Sequence, residues 1–344
     1  MSSPGETELS TQTEFTRQAG VEVPLICGAM YPCSNPELVA AVSAAGGLGI
    51  VQPMSMIYAH GHEYRAGLRL IRRVTDRPIG VNIIVEKLVQ AYEDRARQWV
   101  EVALEEGVRF FVTALGNPRW VVDAVHAAGG HVYHDVTERK WALKALDGGV
   151  DGLICVNRRA GGHAGREDPR ALVESLADLG KPLICAGGIG SPDDFVGALR
   201  LGYAGAQLGT RFIATHECRA HADYKQAIVA AEADDIVLTE KLSGVPVSII
   251  NTPYVQKIGT KAGPLARMML RGRRTKHWMR ALYSVQSIWT LKRANLRGAA
   301  YQEYFQAGKS VDGIHDIERA GDIVRRFQDA LTRASEPTRA ATPT

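Results

Sequence analysis

Residues 182–212 read PLICAGGIGSPDDFVGALRLGYAGAQLGTRF, and this stretch decides the fold class. A short apolar run ends in glycines, a segment with helical spacing begins at Ser191 and Pro192, and a second apolar run follows its closing glycine. Ser before Pro is typical of a helix start, and Gly is typical of a helix stop. Two buried strands joined by a helix form a β–α–β unit, in which the strands run parallel.

The same alternation of strand and helix extends from about residue 20 to residue 215. Continuously apolar runs, as expected of parallel strands buried on both faces, lie at 24–30, 48–53, 78–84, 109–115, 131–137, 152–157, 182–188 and 205–212. Eight strands with eight following helices, the last beginning near Arg219, predict an α/β fold of the (β/α)8 TIM-barrel type. An open doubly wound sheet is the rival prediction, but such sheets usually have fewer strands.

Five segments are predicted along the 344 residues. We expect a flexible N-terminal segment (1–19), the barrel (20–235), a basic and mostly helical insertion or lid (236–310), a closing helix that packs on the barrel (311–332) and a disordered tail (333–344). The insertion is basic because no acidic residue occurs from Lys241 to Gln302, while lysines and arginines accumulate between residues 257 and 297.

The composition argues against several classes of protein. The net charge of +4 is too small to indicate a nucleic-acid partner by itself. No uninterrupted apolar run reaches the roughly 18 residues that a membrane span needs, and the polar N-terminus lacks a secretory signal. Five scattered cysteines, an odd number, argue against a disulfide framework. We therefore expect a cytoplasmic enzyme without stable membrane insertion. The oligomeric state stays open, a homodimer included.

The loops after strands 7 and 8 carry a predicted phosphate site. In TIM barrels the active site forms at the carboxyl ends of the strands, and these two loops commonly bind a phosphate. Glycines let backbone N–H groups approach an anion closely, and the end of strand 8 adds a hydroxyl and the cation of Arg211. The alternative is that these glycines only form tight turns. The predicted phosphate-binding residues are Gly187, Gly188, Gly190, Leu208, Gly209 and Thr210.

A histidine wrapped in glycines follows strand 6, in the sequence AGGHAG (160–165). Its neighbours offer no apolar side chains for core packing, so His163 is predicted on a loop over the barrel mouth, where an imidazole suits general acid–base catalysis. The alternative is a surface histidine without a role. His134, on strand 5, is better explained as a hydrogen-bonded core residue. His216 and His221 are five residues apart and do not share a helix face, so no metal site is predicted.

Strands 1 and 3 supply a flat wall at the same mouth. Ala29 and Met30 close strand 1 with a small-residue backbone and a soft thioether, and the Asn82 amide on strand 3 donates and accepts hydrogen bonds. A phosphate at strands 7 and 8, with a planar ring reaching the barrel centre, is the arrangement that FMN requires.

These motifs together resemble one enzyme family. GAM after strand 1, NPELVAAVSAAGGLG, RPIGVN, AGGHAG, CAGGIGSPDDFVGALRLGYAGAQLGTRFIAT and FQAGKSVDGIHDI are similar to nitronate monooxygenases, across roughly residues 20–225 and the C-terminal segment. NADH:quinone reductases and flavin-type enoyl-acyl-carrier-protein reductases share this pattern. The order AGGH, GGI and GTRF on consecutive βα units is specific for this superfamily, but much less so for the substrate.

The resemblance implies FMN as the cofactor and His163 as the catalytic base, which removes the proton α to a nitro group. It implies that the loops after strands 7 and 8 grip the FMN phosphate and that the ring lies near Ala29, Met30 and Asn82, with Gly161 beside the histidine. Nitronate monooxygenases use reduced flavin and O2 to form a carbonyl compound and nitrite. A small-molecule nitronate and O2 are therefore the expected substrates.

Three departures from the family pattern concern the substrate and leave the flavin in place. Tyr31 and Cys33 change the first loop, and Arg158 and Arg159 precede AGGH where the family commonly has G-x-E. Asp135, which we count among the cofactor contacts, stands where relatives often carry Lys or Ser towards the flavin.

Two other functions stay open. The first is a reductase or dehydrogenase, of the NAD(P)H:quinone type or acting on an acyl-CoA or acyl-carrier-protein thioester, whose phosphates the basic segment 257–297 and the two arginines before AGGH could bind. The second is a nucleic-acid-binding barrel without catalysis. Trp278, Tyr283 and Trp289 do lie among the cations, but their spacing fits the apolar face of a helix better.

Overall fold

The computed structural model describes residues 9–85, 90–241, 245–261, 296 and 304–336. Eight parallel strands form a closed barrel in chain order, with β8 pairing back to β1. They are β1 (Leu25–Cys27), β2 (Leu48–Val51), β3 (Ile79–Ile84), β4 (Phe110–Ala114), β5 (His131–Val136), β6 (Gly152–Val156), β7 (Leu183–Ala186) and β8 (Gly205–Leu208). Each strand lies within one of the predicted apolar runs, which confirms the TIM barrel.

The second half of the supposedly flexible N-terminal segment is a helix, α1 (Glu14–Ala19). Its Phe15 is fully buried in the barrel interior, and its ring lies edge-on to Phe110 at 5.7 Å and to Tyr133 at 5.9 Å. The Thr13 hydroxyl caps the helix and also donates to the Ala204 carbonyl at 2.8 Å. The expectation of flexibility is therefore wrong for this helix, because one aromatic residue in a polar stretch closes the lower end of the barrel.

Helices pack around the barrel between successive strands. They are α2 (Pro36–Ala44), α3 (Tyr64–Arg72), α4 (Gln90–Glu105), α5 (Arg119–Ala127), α6 (Arg139–Asp147), α7 (Pro169–Leu176) and α8 (Pro192–Arg200). Helix α8 begins as its sequence indicates. The Ser191 hydroxyl accepts from the Asp194 N–H at 3.2 Å, and the Asp194 carboxylate accepts from the Ser191 N–H at 2.9 Å. This reciprocal cap fixes the loop that leads from β7 into the helix.

The chain after β8 leaves the barrel rhythm and forms α9 (Thr210–Ile213), α10 (Ala222–Ala230), β9 (Ile236–Thr239), β10 (Val247–Ile250) and α11 (Pro253–Ile258). The expected insertion is thus not mostly helical where it is described, since β9 and β10 pair antiparallel. The β-branched run VPVSII favours a strand, and Val247 and Ile249 pack into a small core with Val255 and Tyr304. Nearly all of the basic stretch 257–297 lies outside the described residues.

The closing helix, α12 (Ala320–Ser335), completes the outer ring of helices. It packs against α2 and α8, and the Phe195 and Phe327 rings lie 5.5 Å apart. This is the position of the eighth barrel helix, which α10, the helix expected after Arg219, does not occupy. The helix also begins later than the expected residue 311, because residues 304–319 form an extended segment and a 3-10 turn (Lys309–Gly313). Of the expected tail, residues 333–335 end the helix and 337–344 lie outside the described residues.

Candidate active site

The mouth of the barrel is lined by residues that alternate with its inward-facing core. Because side chains along a strand point alternately in and out, the residue two positions after an inward one also faces inward. Ile50 and Tyr133 belong to the barrel interior, so Gln52 and Asp135 face the mouth. Gly80 on β3 and Gly205 on β8 also face the barrel interior. By the same alternation Asn82 and Gln207, two positions later, face the mouth. Sequence analysis missed the two glutamines, although the period-two pattern could have identified them.

Gly187 and Gly188 form the turn that was predicted to bind a phosphate. Both have positive φ angles, +118° and +83°, which disfavour any other residue. A Cβ on Gly187 would also lie 2.5 Å from the Ala160 nitrogen and 2.8 Å from the Asn157 side-chain oxygen. The turn therefore needs glycine both for its backbone conformation and for its close approach to the loop after β6.

Asn157 joins the loops after β6 and β7 and was not identified from the sequence. Its side chain is buried, its amide donates to the Gly187 carbonyl at 2.9 Å, and its oxygen accepts from the Arg159 N–H at 2.8 Å. One side chain thus fixes the glycine turn relative to the loop that carries His163. An asparagine at the end of an apolar strand was the available signal.

Gly190 does not share the surroundings of the two preceding glycines. Its N–H donates to the Asp194 carboxylate at 3.1 Å, and a Cβ there would lie 2.0 Å from the Ser310 carbonyl. The amide is therefore already satisfied within the cap of α8. This glycine lets the segment 304–313 pack closely, and the contact weighs against its predicted phosphate role.

The residues after β8 divide between the mouth and the protein interior. The Thr210 hydroxyl accepts from the Gly308 N–H at 3.0 Å, and Gly209 faces the Met30 sulphur. Leu208 is buried in the core, so that only its backbone is available at the mouth. Arg211 is buried and donates to the Ala214 and Asp316 carbonyls at 2.9 and 2.7 Å. The expectation that Arg211 offers its charge to a phosphate is thus wrong.

His163 lies on the loop after β6, and the insertion holds this loop by its backbone. The Ser248 N–H on β10 donates to the Gly162 carbonyl at 2.7 Å, and the Gly162 N–H donates to the Ser248 carbonyl at 3.4 Å. The histidine side chain is accessible to solvent, yet the surrounding protein desolvates the ring and lowers its pKa below the ordinary value of 6.5. A base with a lowered pKa is neutral, and so able to accept a proton, at neutral pH.

Gly161 lies close to the segment 304–313. A Cβ there would lie 2.9 Å from the Gly308 nitrogen and 3.0 Å from the Ala307 carbonyl carbon. The segment 304–313 therefore contacts the loops after β6, β7 and β8 together. Its importance for the site was visible in the sequence only as the motif FQAGKSVDGIHDI.

The loop after β1 lines another side of the barrel mouth. The Met30 N–H donates to the Ser34 hydroxyl at 2.8 Å and the Met30 carbonyl accepts from the Ser34 N–H at 2.8 Å, while Ala29 is half-buried beside them. Tyr31, joined to Pro32 by a cis peptide bond, packs on the small core of the insertion. Its burial raises its pKa to about 12, so the phenol stays protonated.

Four polar side chains face the mouth, namely Gln52, Asn82, Asp135 and Gln207. Asp135 is the one charged side chain among them. One of its carboxylate oxygens is buried and has no hydrogen-bond partner among the described residues. Desolvation raises its pKa to about 7. An unsatisfied buried oxygen is costly, so the mouth is built to receive a hydrogen-bond donor from a ligand. A flavin ring has N–H groups to offer, and the bare backbone of the glycine turn after β7 lies at the same end of the barrel, so the chemistry of these residues fits FMN.

His134 has the surroundings of a structural residue. His134 is buried and shares a 2.8 Å hydrogen bond with the Thr113 hydroxyl on the outer face of β4 and β5. Its burial lowers its pKa to about 4, which agrees with the predicted core role. Within the described part of the chain, no group of three His, Cys, Asp or Glu residues could hold a metal ion. None of the helices in that part is long and apolar enough to cross a membrane.

Comparison with known proteins gives a family match over most of the chain. The family model described as nitronate monooxygenase matches residues 12–328. A nitronate monooxygenase of Pseudomonas aeruginosa is 31% identical, over 67% of this chain and 77% of the relative. A (3aS,4S,5R,7aS)-5-hydroxy-7a-methyl-1-oxo-octahydro-1H-indene-4-carboxyl-CoA dehydrogenase of Rhodococcus jostii is 25% identical, over 94% of this chain and 96% of the relative. The solved structure of FabK from Thermotoga maritima superposes with a TM-score of 0.77 at 28% identity, covering 94% of this chain and 97% of that one.

Proposed function

This chain belongs to the nitronate monooxygenase family and is a flavin-dependent oxidoreductase, and from that premise we propose that it oxidises nitronates and nitroalkanes with FMN and O2. The products would be a carbonyl compound and nitrite. The observation that carries the proposal is His163, a neutral and solvent-accessible imidazole on a glycine loop that is fixed at the mouth of the barrel.

The residues around the mouth would hold FMN by complementary contacts. The turn at Gly187 and Gly188 and the backbone at Gly209 would surround the phosphate, and Asn82 and Asp135 would offer polar groups to the ring. FMN, when bound, supplies the acceptor for the substrate's electrons and passes them to O2.

The protein's own contribution is proton transfer. A neutral His163 accepts the proton on the carbon next to a nitro group, and the lowered pKa of the ring keeps it neutral at neutral pH. The Tyr31 side chain packs on the apolar cluster of the insertion, and β10 of that cluster is bonded to the histidine loop.

A cytoplasmic location is part of the proposal. All five cysteines are free and buried, which agrees with a reducing compartment. Cell fractionation tests this point: recovery of the protein with a membrane or secreted fraction would contradict it.

Anaerobic reduction of the bound flavin tests the proposed reaction. We expect the purified protein to carry a flavin absorption spectrum, and the spectrum to bleach when propionate 3-nitronate is added without air. Admission of air should then release nitrite and restore the oxidised spectrum. A protein that binds no flavin even after incubation with FMN would refute the cofactor, and a flavin that ignores every nitronate and nitroalkane would refute the substrate.

A second candidate, oxidation of an acyl-CoA thioester, rests on two observations. The matched CoA-ester dehydrogenase covers 94% of this chain, and the guanidinium of Arg158 is exposed beside the mouth without an acidic partner among the described residues. Thioesters also acidify the neighbouring carbon, so the same base could serve both substrates. In such a reaction His163 would take a proton from the α-carbon, and bound FMN would supply the acceptor for the hydride of the β-carbon, which would leave a carbon–carbon double bond.

The same anaerobic assay separates the two candidates. Bleaching by a saturated acyl-CoA such as butyryl-CoA, with no nitrite from nitronates, would favour the thioester reaction. Rapid bleaching by NADPH or NADH alone would instead indicate a reductase. Bleaching by the nitronate alone would support the first candidate.

A further inference from the structure

The phosphate end of the proposed FMN site needs a positive charge. A phosphate monoester carries between one and two negative charges at neutral pH, whereas the glycine turn after β7 offers only backbone N–H groups. Several cations lie on the surrounding elements, among them Arg159, Arg211, Lys309 and Arg326. Which of them is available to an anion depends on the partners that each already has.

Arg211 and Arg326 already share one acidic partner. The Arg211 guanidinium lies 3.3 Å from the Glu318 carboxylate and donates to two carbonyls. Arg326 makes a two-pronged contact with the same carboxylate, at 2.7 and 2.8 Å. Both arginines therefore brace the segment that leads into α12, and neither is free to bind a ligand.

The cavity that these arginines border does not itself attract anions. It measures about 430 Å³. Its lining includes three guanidinium groups and four carboxylates, so it holds one more negative than positive charge and offers no net attraction to an anion. The charged lining residues are Arg159, Arg211, Arg326, Asp194, Asp312, Asp316 and Glu318.

Arg159 differs from the other two arginines in having no acidic partner. No ion pair or hydrogen bond of its side chain joins it to another described residue. Its Nε atom is buried without a partner, as are those of Arg211 and Arg326, but the other two guanidinium groups bond through their terminal nitrogens. The side chain lies against the glycine turn, since a Cβ on Gly188 would come within 2.5 Å of Nε and 2.8 Å of Cδ. A guanidinium with no acceptor in the described protein fits a residue whose acceptor arrives with a ligand.

The backbone of Arg159 is held on both sides. Its N–H donates to the Asn157 side chain at 2.8 Å, and its carbonyl accepts from the Lys309 N–H at 2.8 Å. These contacts keep the start of the side chain beside the turn before any ligand binds, which lowers the entropy cost of binding.

We propose that Arg159 binds the phosphate of FMN and supplies the charge that Arg211 cannot. The inference rests on the proposed FMN cofactor. It assigns to this chain's own arginine a contact that the glycine turn alone cannot make, because charge-assisted hydrogen bonds are roughly twice as strong as neutral ones.

Binding of FMN and of riboflavin to the full-length apoprotein tests the proposal, because riboflavin lacks only the phosphate. We expect Arg159→Ala to raise the Kd for FMN by roughly 10- to 100-fold and to leave the Kd for riboflavin almost unchanged, as measured by quenching of flavin fluorescence. Arg159→Lys should lie between the two proteins, because it keeps the charge and loses the planar fork. Arg170→Ala, which removes an exposed cation on α7, should behave like the natural protein.

Each outcome decides a separate point. An equal loss of FMN and riboflavin affinity in Arg159→Ala, or no loss of either, would overturn the phosphate contact. An unmodified protein that binds neither flavin would instead refute the proposed cofactor. If Arg159→Ala does not fold, the comparison of Arg159→Lys with Arg159→Gln settles the same question, because both retain the aliphatic stem that packs on the turn.

Discussion

Ser248 on β10 and Gly162 in the loop after β6 are joined by two backbone hydrogen bonds, at 2.7 and 3.4 Å. The pairing connects the insertion directly to the residue before His163. The neighbouring Ile250 N–H donates to the Phe305 carbonyl at 2.9 Å, so β10 also holds the segment that covers the loops after β7 and β8. The insertion therefore supports the proposed base by its backbone.

Removal of the Ser248 N–H should disturb the base without unfolding the barrel. That N–H points to Gly162 and away from β9, so Ser248→Pro removes the contact with the histidine loop and leaves the antiparallel pair largely intact. We expect kcat to fall by roughly 10- to 100-fold, with FMN affinity nearly unchanged. Steady-state kinetics and flavin titration measure the two effects.

Ser248→Ala is the matched control, because it keeps the N–H and removes only the hydroxyl. It should retain kcat. If the alanine and proline variants lose activity equally, the hydroxyl and not the backbone contact is important, and the positioning role of β10 is wrong.

Replacement of His163 should affect neutral and anionic substrates differently. A nitroalkane must lose a proton in the active site, whereas a nitronate has already lost it. We expect His163→Asn to lower kcat/KM for nitroalkanes by about 10²- to 10⁴-fold, with a smaller effect on nitronates. In the unmodified protein the nitroalkane activity should decline as the pH falls through the lowered pKa of the ring. Equal losses with both substrates would argue against a role as base.

The barrel was predictable from the sequence because its signals are local. Each apolar run marks a strand, and the Ser–Pro start of α8 predicts its cap. A closing helix that packs on the barrel was predicted at 311–332, but its place as the eighth helix of the outer ring was not. A helix at Ala222–Ala230 and a helix at Ala320–Ser335 have equally good local signals, and only packing between α2 and α8 decides which one completes the barrel.

The site was predictable where a residue type has one chemical use. The glycine turn at 187 and 188 and the glycine-wrapped His163 are examples. The acidic partners of the arginines were not predictable. Arg211 and Arg159 are alike in sequence, yet Arg211 is paired with Glu318, more than 100 residues later, while Arg159 has no acidic partner among the described residues. Such pairing depends on long-range packing, which a single sequence does not reveal.

The N-terminal helix should contribute strongly to stability. Phe15 is fully buried and contacts two aromatic rings inside the barrel. We expect Phe15→Ala to lower the free energy of unfolding by about 3–5 kcal/mol, as measured by urea denaturation. Arg17→Ala, on the same helix, removes only an exposed ion pair and should cost less than about 1 kcal/mol. Similar small effects from both variants would mean that the helix does not close the barrel in solution.

Asp135 should make the stability of the apoprotein depend on pH. Its pKa is about 7 in the folded protein and ~4 in an unfolded chain. Between these values the folded state binds more protons than the unfolded state, so this contribution to stability is complete below about pH 4 and is lost as the pH rises through 7. Asp135→Asn cannot ionise and should therefore gain stability over the natural protein as the pH rises, by about 4 kcal/mol or roughly 6 °C in Tm at pH 8. Asp178→Asn is a control of opposite sign, because a hydrogen bond from Arg139 lowers the pKa of that exposed carboxyl. A Tm difference between Asp135→Asn and the natural protein that stays constant from pH 4 to pH 8 would show that Asp135 is not desolvated at the mouth.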